Sequence, residues 1–373
     1  MGKRELLLIC GFAVVGALVY YATAPEAAPG QNGYSIGRWI AEVRREIRGN
    51  RSSAEVSTTT AIPLKPGVTE LRFETGSAGV TISGEDRPDV LCELKVWSSG
   101  YDETEAKKYA NETTLKTTEA GITLVLSIKY PDPATQRASL VVRIPKAMSV
   151  RIQPSRAKLE ISGVASVELV EARGQASITG ISGRVVATHR GGALTIEGVP
   201  SVKLSTRGST VSLKDVTGEA LMQLQAGEFK SESIVGPIEV DSNGTRMVFD
   251  GLAVTRRPMR INAIGGSVTI TGLRSETRID SRDTRIDVTI DQPAQVAIYN
   301  EHEEAMDVTL PAGGVQLDAL AVDGRLTVPP GLPEVKTTDN EQRAAGPIGG
   351  GGPTVTLRSK RGDINIKRKA ETH

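Results

Sequence analysis

From about residue 56 onward, apolar residues alternate along the chain with small or polar ones. Examples of the alternating pairs are Leu71 and Phe73, Val80 and Ile82, Leu94 and Val96, and Leu124 and Leu126. A period of two is typical of β-strands that bury one face, and Gly and Pro residues separate the segments as turns would. The pattern therefore predicts an all-β fold, interrupted by a short helix from Asp102 to about Lys116.

A repeat begins near residue 150, where an apolar residue is followed two positions later by Gly or Asp. The series consists of Ile161 with Gly163, Ile178 with Gly180, Ile196 with Gly198, and Leu213 with Asp215. A second column, half a unit away, consists of Gly174, Gly191, Gly208, Gly227 and Gly244. Two columns offset by half a period indicate two turns per unit, each of them tight or with a positive φ.

Each repeat unit holds two short strands and is too small to bury an apolar face alone. Stacked on its neighbours, the unit forms a continuous β-ladder around an inner column of Val, Ile and Leu. The predicted architecture is a β-solenoid of roughly 17–20-residue repeats. Aromatic residues make up only 3% of the chain, which suits a narrow aliphatic interior.

The patterns divide the chain into four parts. Residues 1–24 are predicted to be a signal anchor or transmembrane helix, residues 25–55 a linker with an amphipathic helix, residues 56–145 an N-terminal β region with the short helix, and residues 146–369 the solenoid repeats. Residues 329–353 are rich in Pro, Gly and charge and are predicted to form a flexible loop. The strand pattern that follows predicts a hairpin-like unit that closes the stack.

An uncharged run, residues 6–22, follows two basic residues at the N-terminus. It is short for a membrane span and long for the core of a signal peptide. Residues 22–24 offer the small side chains of a cleavage site, but Pro25 after them favours an uncleaved anchor. In both interpretations the rest of the chain is exported, so we expect a membrane-anchored, extracytoplasmic protein.

Apolar residues recur at helical spacing between residues 36 and 47, among several arginines. They are Ile36, Trp39, Ile40, Val43 and Ile47. Such a helix either lies on an anionic membrane surface beside the anchor or packs against the first strands.

Composition narrows the range of partners. The chain carries 45 basic and 44 acidic residues, so no overall basic field points to nucleic acid. Its two cysteines are Cys10, in the apolar N-terminal run, and Cys92. We therefore expect no nucleic-acid partner and no disulfide within the folded part.

No group of residues has the spacing of a known catalytic, metal or cofactor site. The histidines are His189, His302 and His373, and none has a second His or Cys at zinc-binding spacing. The glycines at 349–352 precede no helix, so they do not form a phosphate-binding loop. His189 is predicted to be a solvated turn residue. The sequence therefore predicts a protein that is not an enzyme and needs no cofactor.

Three arginines recur at 17-residue intervals, each one residue before a glycine of the second column. They are Arg173, Arg190 and Arg207, and a solenoid would stack them on one edge. Such a stripe could bind a regular anionic polymer or lipid headgroups. Alternatively, the arginines extend into water or pair with Glu171 and its neighbours. They are the candidate surface-binding residues of this chain.

An aspartate pair and an Arg-Gly-Asp tripeptide each have a functional and a structural interpretation. Asp287 and Asp307 begin similar strands and would lie one above the other, where they could share Ca²⁺ or act as an acid–base pair. The alternative is that they are ordinary strand-start residues near Arg285. Residues 361–363 form the integrin-type tripeptide Arg-Gly-Asp, which the repeat explains as one more turn.

Several short stretches, taken in order, resemble a known family. They are residues 101–106 at the start of the helix, 122–131 and 141–145 in strands that end near proline, the Ile-x-Gly units, and residues 351–357 and 362–366 near the end. The chain resembles the bacterial DUF4097 family of Toastrack-like envelope proteins, often named as candidate adhesins, over roughly residues 60–369. The resemblance implies a β-solenoid without established catalytic activity, and it supplies no site residues.

The favoured hypothesis is a non-catalytic, membrane-anchored β-solenoid with a structural, adhesive or surface-binding role. Its expected partners are the membrane, through the N-terminal helix, and an anionic envelope polymer or another surface protein. Two alternatives remain open, namely a polysaccharide-binding or polysaccharide-cleaving β-helix protein and an accessory protein in envelope-stress signalling. Carbohydrate sites usually present exposed aromatic side chains, and after residue 150 the chain has only Phe229, Phe249 and Tyr299.

Overall fold

Strands form most of the structure, as the period-two pattern predicts. The structure is a computed structural model that describes residue 16 and residues 52–369, except residues 75, 132–135, 154 and 252–257. Its residues fall into two compact units. The first unit takes its described residues from 1–56, 97–112 and 132–136, and the second unit takes its described residues from 57–96, 113–131 and 137–373.

The first unit contains helix α1 (Glu103–Glu112). The Asp102 carboxylate accepts a hydrogen bond of 2.8 Å from the Glu105 backbone N–H, and the Glu105 carboxylate accepts one from the Tyr101 N–H. This reciprocal capping begins the helix where the sequence predicts it. The helix ends before the predicted Lys116, because the β-branched residues after Glu112 start a strand instead.

Strands β1 to β7 belong to the N-terminal β region. They are β1 (Ser52–Pro63), β2 (Glu70–Glu74), β3 (Gly79–Glu85), β4 (Asp89–Gly100), β5 (Thr114–Ala120), β6 (Thr123–Lys129) and β7 (Gln136–Pro145). Strand β5 pairs antiparallel with β6, while β2 and β6 pair in parallel.

Parallel coils follow, each with two strand segments. They are β8 (Ser149–Ile152) with β9 (Leu159–Ser162), β10 (Ser166–Ala172) with β11 (Ala176–Thr179), then β12 (Arg184–Val199), β13 (Ser201–Val216), β14 (Ala220–Ile234), β15 (Ile238–Asp250) and β16 (Met259–Leu273), then β17 (Thr277–Arg282) with β18 (Arg285–Ile290), and β19 (Val296–Glu301) with β20 (Met306–Leu310). Each of β12 to β16 runs through both halves of its coil as one strand. Successive coils pair in parallel along both halves, which is the predicted solenoid repeat.

Inward side chains form apolar columns that run from coil to coil. One column contains Ile161, Ile178, Ile196 and Leu213, which are register partners and at most 2% exposed. Fully burying one such side chain contributes about 1.5–3 kcal/mol. The apolar member of each predicted repeat is therefore the residue that builds the core.

Two corners per coil require positive φ angles. At one corner the predicted series holds, with φ of 65° at Gly163, 66° at Gly198 and 52° at Asp215. At the other corner Gly191 and Gly208 have φ of 72° and 62°. The sequence predicts Gly227 in the same column, but the structure places Ala226 at the equivalent turn position, with a φ of 52°.

The next corner residue alternates between glycine and a hydroxyl residue. The register partners in order are Gly192, Ser209, Gly227, Thr245 and Gly266. A Cβ on Gly227 would lie 2.3 Å from the Ser209 carbonyl oxygen, and a Cβ on Gly266 would lie 2.3 Å from that of Thr245. A side chain thus fits on every second coil, and the coils between need glycine.

Chain order and stack order differ at both ends of the stack. Near the N-terminus, β2 pairs with both β6 and β8, so the first coil in sequence lies between two later ones. The other end holds β21 (Val315–Val322), β22 (Leu326–Thr327), β25 (Thr354–Lys360) and β26 (Ile364–Arg368). Strand β25 lies between β19 and β21, and β26 lies between β20 and β22. The predicted closing unit is therefore inserted into the stack and does not end it.

The predicted flexible loop, residues 329–353, contains regular structure. It includes β23 (Lys336–Thr337) and β24 (Glu341–Ile348), and β24 pairs antiparallel with β21 along its length. The glycines after β24 cross the start of β21, where a Cβ on Gly314 would lie 2.2 Å from the Gly351 carbonyl oxygen. The glycine run allows close backbone packing here, and Glu341–Ile348 form a paired strand inside the segment that the sequence predicts as a loop.

The predicted anchor in residues 1–24 and the linker and helix in residues 25–55 lie outside the described residues, apart from residue 16 and the start of β1. Within the described part, no helix has the length and apolar character to span a membrane. The anchor remains a prediction from the sequence.

The corner geometry predicts different costs for two glycine substitutions. Gly208 has φ of 62° and open space around its Cβ position, so Gly208→Ala should cost only the backbone strain, about 1–2 kcal/mol. Gly227→Ala adds a clash with the Ser209 carbonyl and should cost about 3 kcal/mol or more. Urea unfolding of the two variants measures both losses, and equal losses would contradict the close approach at this corner.

Candidate functional site

The outward side chains of β12 to β15, in the first half of each coil, form a continuous surface that we call the polar face. Alternation along each strand sends every second side chain outward, and parallel register aligns them from coil to coil. The polar face consists of Val186, Thr188, Arg190, Lys203, Ser205, Arg207, Leu221, Gln223, Gln225, Glu239, Asp241 and Asn243. Ten of these twelve side chains are polar or charged.

A depression of about 400 Å³ crosses the polar face and is lined by residues of all four coils. Arg190 and Arg207 lie on one side, Asp241 on another, and Gln223 and Gln225 between them. A second depression of about 280 Å³ shares Gln223 and Asp241 and extends over the neighbouring outward column. The surface is thus concave and lined mainly by hydrogen-bonding groups.

The structure aligns two of the three predicted arginines. Arg190 and Arg207 are direct register partners. Arg173 lies at a corner where the register with β12 changes, because Ala172 pairs with His189 and Ala176 pairs with Leu194. Arg190 forms an ion pair of 2.8 Å with Glu171, as one interpretation expected. Among the described residues, Arg173 and Arg207 form no ion pair. The stripe ends at Gln225, which is the register partner of Arg207 on β14.

His189 is buried, so the prediction of a solvated turn residue was wrong. The side chain continues the inward series of Val185 and Ala187, and its Nδ1 lies 2.9 Å from the Ser209 Oγ. Ser209 is itself 2% exposed, and its Oγ accepts a 3.1 Å hydrogen bond from the Gly191 N–H. This histidine–serine pair therefore supports the corner and does not present a nucleophile to a substrate.

Asp287 and Asp307 are register partners, as expected. The Asp307 carboxylate receives a 3.2 Å hydrogen bond from the Asn365 side chain and lies 3.6 Å from the Arg285 guanidinium. No group of three or more metal-ligating side chains occurs in the described part of the chain. The Asp307 carboxylate therefore already has a hydrogen-bond donor and a positive charge beside it within the stack.

The Arg-Gly-Asp tripeptide occupies a corner of the stack. Arg361 has φ of 69°, and a Cβ on Gly362 would lie 2.3 Å from the Glu304 carbonyl oxygen, so the two residues match the paired corner positions of other coils. The Asp363 carboxylate accepts a 2.8 Å hydrogen bond from the Arg325 N–H. The turn explanation accounts for all three residues.

Cys92 offers no reactive thiol. Burial raises the pKa of the Cys92 thiol to about 12, against a smaller opposing effect of Arg87. The side chain is fully buried and acts as a small apolar residue of β4.

Comparison with known families settles the relationship that the sequence motifs indicate. The family model described as Toastrack DUF4097 matches residues 68–367. The chain belongs to this DUF4097 family. The match spans every coil of the stack from β2 to the inserted β25 and β26. No curated protein matches the chain.

Solved structures similar to this DUF4097 protein include three from bacteria. A candidate adhesin from Parabacteroides distasonis is 9% identical, with 84% of this chain and 97% of that chain covered and a TM-score of 0.31. A candidate lipid-binding protein from the same species is 11% identical, with coverages of 86% and 98% and a TM-score of 0.31. A candidate cell adhesion protein from Clostridium sporogenes is 12% identical, with coverages of 84% and 100% and a TM-score of 0.19. Scores this low carry no argument about what the present protein binds.

Sequence reasoning missed most of the polar face. It found the arginines because they precede glycines, but it missed Gln223, Glu239 and Asp241, which have no motif of their own. Adding one coil length to an exposed residue of β13 finds them, since Ser205 pairs with Gln223 and Gln223 with Asp241. These residues can be found from the coil-to-coil register, and not from their residue types.

The buried histidine predicts a pH-dependent stability. Burial lowers the pKa of His189 below its usual 6.5, with the Gly174 backbone opposing the shift. The unfolded chain therefore binds this proton more readily than the folded one, so the free energy of unfolding should decrease as pH falls below about 6.5. Thermal unfolding from pH 7.5 to 5.5 should show a steeper loss for the native protein than for His189→Asn. Parallel curves would show that this histidine does not control the effect.

Proposed function

We propose that this DUF4097 protein is a non-catalytic, membrane-anchored protein of the cell envelope that binds a repetitive anionic polymer through its polar face. The observation that carries the proposal is the alignment of Arg190 and Arg207 within a concave surface of hydrogen-bonding side chains. Guanidinium groups bind carboxylates and phosphates through directed hydrogen bonds. Adjacent coils repeat at about 4.8 Å, so the surface offers a regular series of such groups.

Exposure and charge pairing support the choice of this face. Arg207 is exposed and forms no ion pair within the described chain, so an anionic ligand can bind it without displacing a protein partner. Gln223 and Gln225 on the next coil add both hydrogen-bond donors and acceptors, which suit the hydroxyl and amide groups of a polysaccharide. An anionic polymer can thus contact charged and neutral coils in succession.

The N-terminal sequence supports the location of the protein. The uncharged run of residues 6–22, after two basic residues, has the pattern of a signal anchor that leaves the following chain outside the cytoplasm. A membrane-anchored binding domain would link an envelope polymer to the membrane surface. An adhesive or structural role follows from that link.

A polysaccharide-cleaving function has less support. Such a reaction needs two carboxyl groups that can act on the substrate, as acid and as base or nucleophile. Asp287 and Asp307 are one aligned pair, and Asp307 is held by Asn365 and Arg285. Glu232 and Asp250 are another, and Glu232 forms an ion pair with Lys230. Binding without cleavage is the function that the arrangement supports best.

The polar face predicts which arginines matter for binding. Arg190→Ala with Arg207→Ala should weaken binding to an anionic polysaccharide such as hyaluronate by at least about tenfold, since each charged hydrogen bond contributes about 1.5–3 kcal/mol. Biolayer interferometry with immobilised polymer measures the change. Lys214→Ala with Arg246→Ala, in the second halves of β13 and β15, removes the same number of positive charges as a matched control and should bind like the native protein. Equal binding by the double variant and the native protein would exclude the arginine pair.

The anchor predicts a membrane location that depends on residues 6–22. Leu8→Arg with Val14→Arg should release the chain into the soluble fraction, because a charge at the centre of a membrane helix costs about 2.5–3.5 kcal/mol and the charge nearer its end adds a smaller cost. Leu8→Ile with Val14→Ile is the control and should remain with the membranes. Carbonate extraction followed by immunoblotting distinguishes the fractions. Native protein in the carbonate-soluble fraction would refute the anchor.

A further inference from the structure

Charged side chains on neighbouring coils commonly neutralise each other in this fold. Examples that join adjacent coils at 2.8–3.7 Å are Arg151 with Glu168, Arg190 with Glu171, Lys214 with Glu197, and Arg282 with Glu301. Register places such side chains side by side, so an ion pair forms without any rearrangement of the backbone. Charged side chains that form no ion pair within the stack are therefore candidates for contacts with a ligand.

The polar face departs from this pattern over three coils. Strand β13 presents Lys203 and Arg207, and β15 presents Glu239 and Asp241, all four of them exposed. Among the residues that the structure describes, none of the four forms an ion pair, even though Arg260 is the register partner of Glu239 on β16. Two positive charges and two negative charges thus remain available on the same surface.

A neutral coil keeps these opposite charges apart. Strand β14 presents Leu221, Gln223 and Gln225 to the same side, and Leu221 lies directly between Lys203 and Glu239 in one column. Two coils correspond to about 10 Å. At that distance two unit charges in water attract by only about 0.4 kcal/mol, before screening by salt. The arrangement therefore contributes little to the stability of the protein itself.

The acidic side is also oriented for a ligand. The Asn262 side chain donates a 2.8 Å hydrogen bond to one oxygen of Asp241 and so fixes the carboxylate. The depression over the face is lined by Arg207, Gln225 and Asp241 together, which joins both charge types in one concave surface. A ligand that lies along the stack would meet the positive coil, the neutral coil and the acidic coil in that order.

We infer that the polar face selects a zwitterionic polymer, with an anionic group bound by Lys203 and Arg207 and an ammonium group bound by Glu239 and Asp241. The neutral part between the two charged groups lies over Leu221 and Gln223. This inference rests on the proposed function, because it names the class of polymer that the same face binds. A purely anionic polymer would place negative charge against the acidic coil.

An extended polymer fits the spacing better than a zwitterionic lipid headgroup. In phosphatidylethanolamine only two carbon atoms separate the phosphate ester oxygen from the ammonium nitrogen, so one headgroup cannot reach both charged coils. Neighbouring sugar units that carry a carboxylate or phosphate and a free amine can span two coils. The ligand is therefore a polysaccharide-like chain with both kinds of charge.

The test compares three probes on the full-length protein in detergent. The probes are hyaluronate, which is anionic, partially N-deacetylated hyaluronate, which carries carboxylates and ammonium groups, and chitosan, which is cationic. The native protein should bind the deacetylated polymer at least about tenfold more tightly than hyaluronate, and chitosan more weakly than the deacetylated polymer. Equal affinity for the first two probes, or tighter binding of chitosan than of both, would overturn the inference.

A pair of variants assigns the preference to the acidic coil. Glu239→Gln with Asp241→Asn should remove the tenfold preference and leave hyaluronate binding equal or tighter, because the repulsive carboxylates are gone. Glu228→Gln with Asp250→Asn, on the second half of β14 and β15, removes the same number of negative charges and should keep the preference. A preference that survives the acidic-coil variant would contradict the assignment.

The same data separate the two levels of the proposal. Binding of hyaluronate that depends on Arg190 and Arg207, without any gain on deacetylation, would support the proposed function and overturn the zwitterionic inference. Absence of binding to all three probes would count against both.

Discussion

The close approach of successive backbones at the corner between the two halves of each coil is the constraint on which the rest of this structure depends. Gly192, Gly227 and Gly266 allow the approach, and a Cβ at any of them would meet a carbonyl of the preceding coil. Ser209 and Thr245 fill the alternate coils, and the Ser209 hydroxyl takes up a backbone N–H that the turn leaves free. Because the corner admits one alignment of neighbouring coils, the strands on both sides of it are held in register.

Register then decides which side chains are neighbours. Residues one coil apart lie about 4.8 Å apart on the same face, so the outer surface consists of columns whose chemistry changes from coil to coil. Opposite charges on adjacent coils can form an ion pair, as Glu197 and Lys214 do. Where a neutral coil intervenes, as between Lys203 and Glu239, both charges stay available to a ligand. The binding face is thus a consequence of how the corners align the coils.

The sequence predicted the parts of this fold that local periodicity encodes. The strands, the Gly and Asp positions of one corner and the stacking of Arg190 on Arg207 all follow from spacing along the chain. The inserted position of β25 and β26 does not, because parallel pairing between distant segments leaves no local pattern. Glycine runs are ambiguous for a physical reason, since glycine permits both mobility and the tight packing seen at Gly314. For His189, counting inward from Val185 by twos would have predicted burial.

The register of the polar face is the central claim, and bridging of engineered thiols tests it most directly. In a Cys10→Ser background, Arg190→Cys with Arg207→Cys puts two thiols on adjacent coils, while Arg190→Cys with Gln225→Cys puts them two coils apart, about 10 Å. A short bifunctional bimane reagent, which fluoresces strongly once both of its arms have reacted, should label the first variant and leave the second nearly dark. Buried Cys92 should not react in either variant. Equal fluorescence from both variants, or a stronger signal from the second, would contradict the alignment on which the binding face rests.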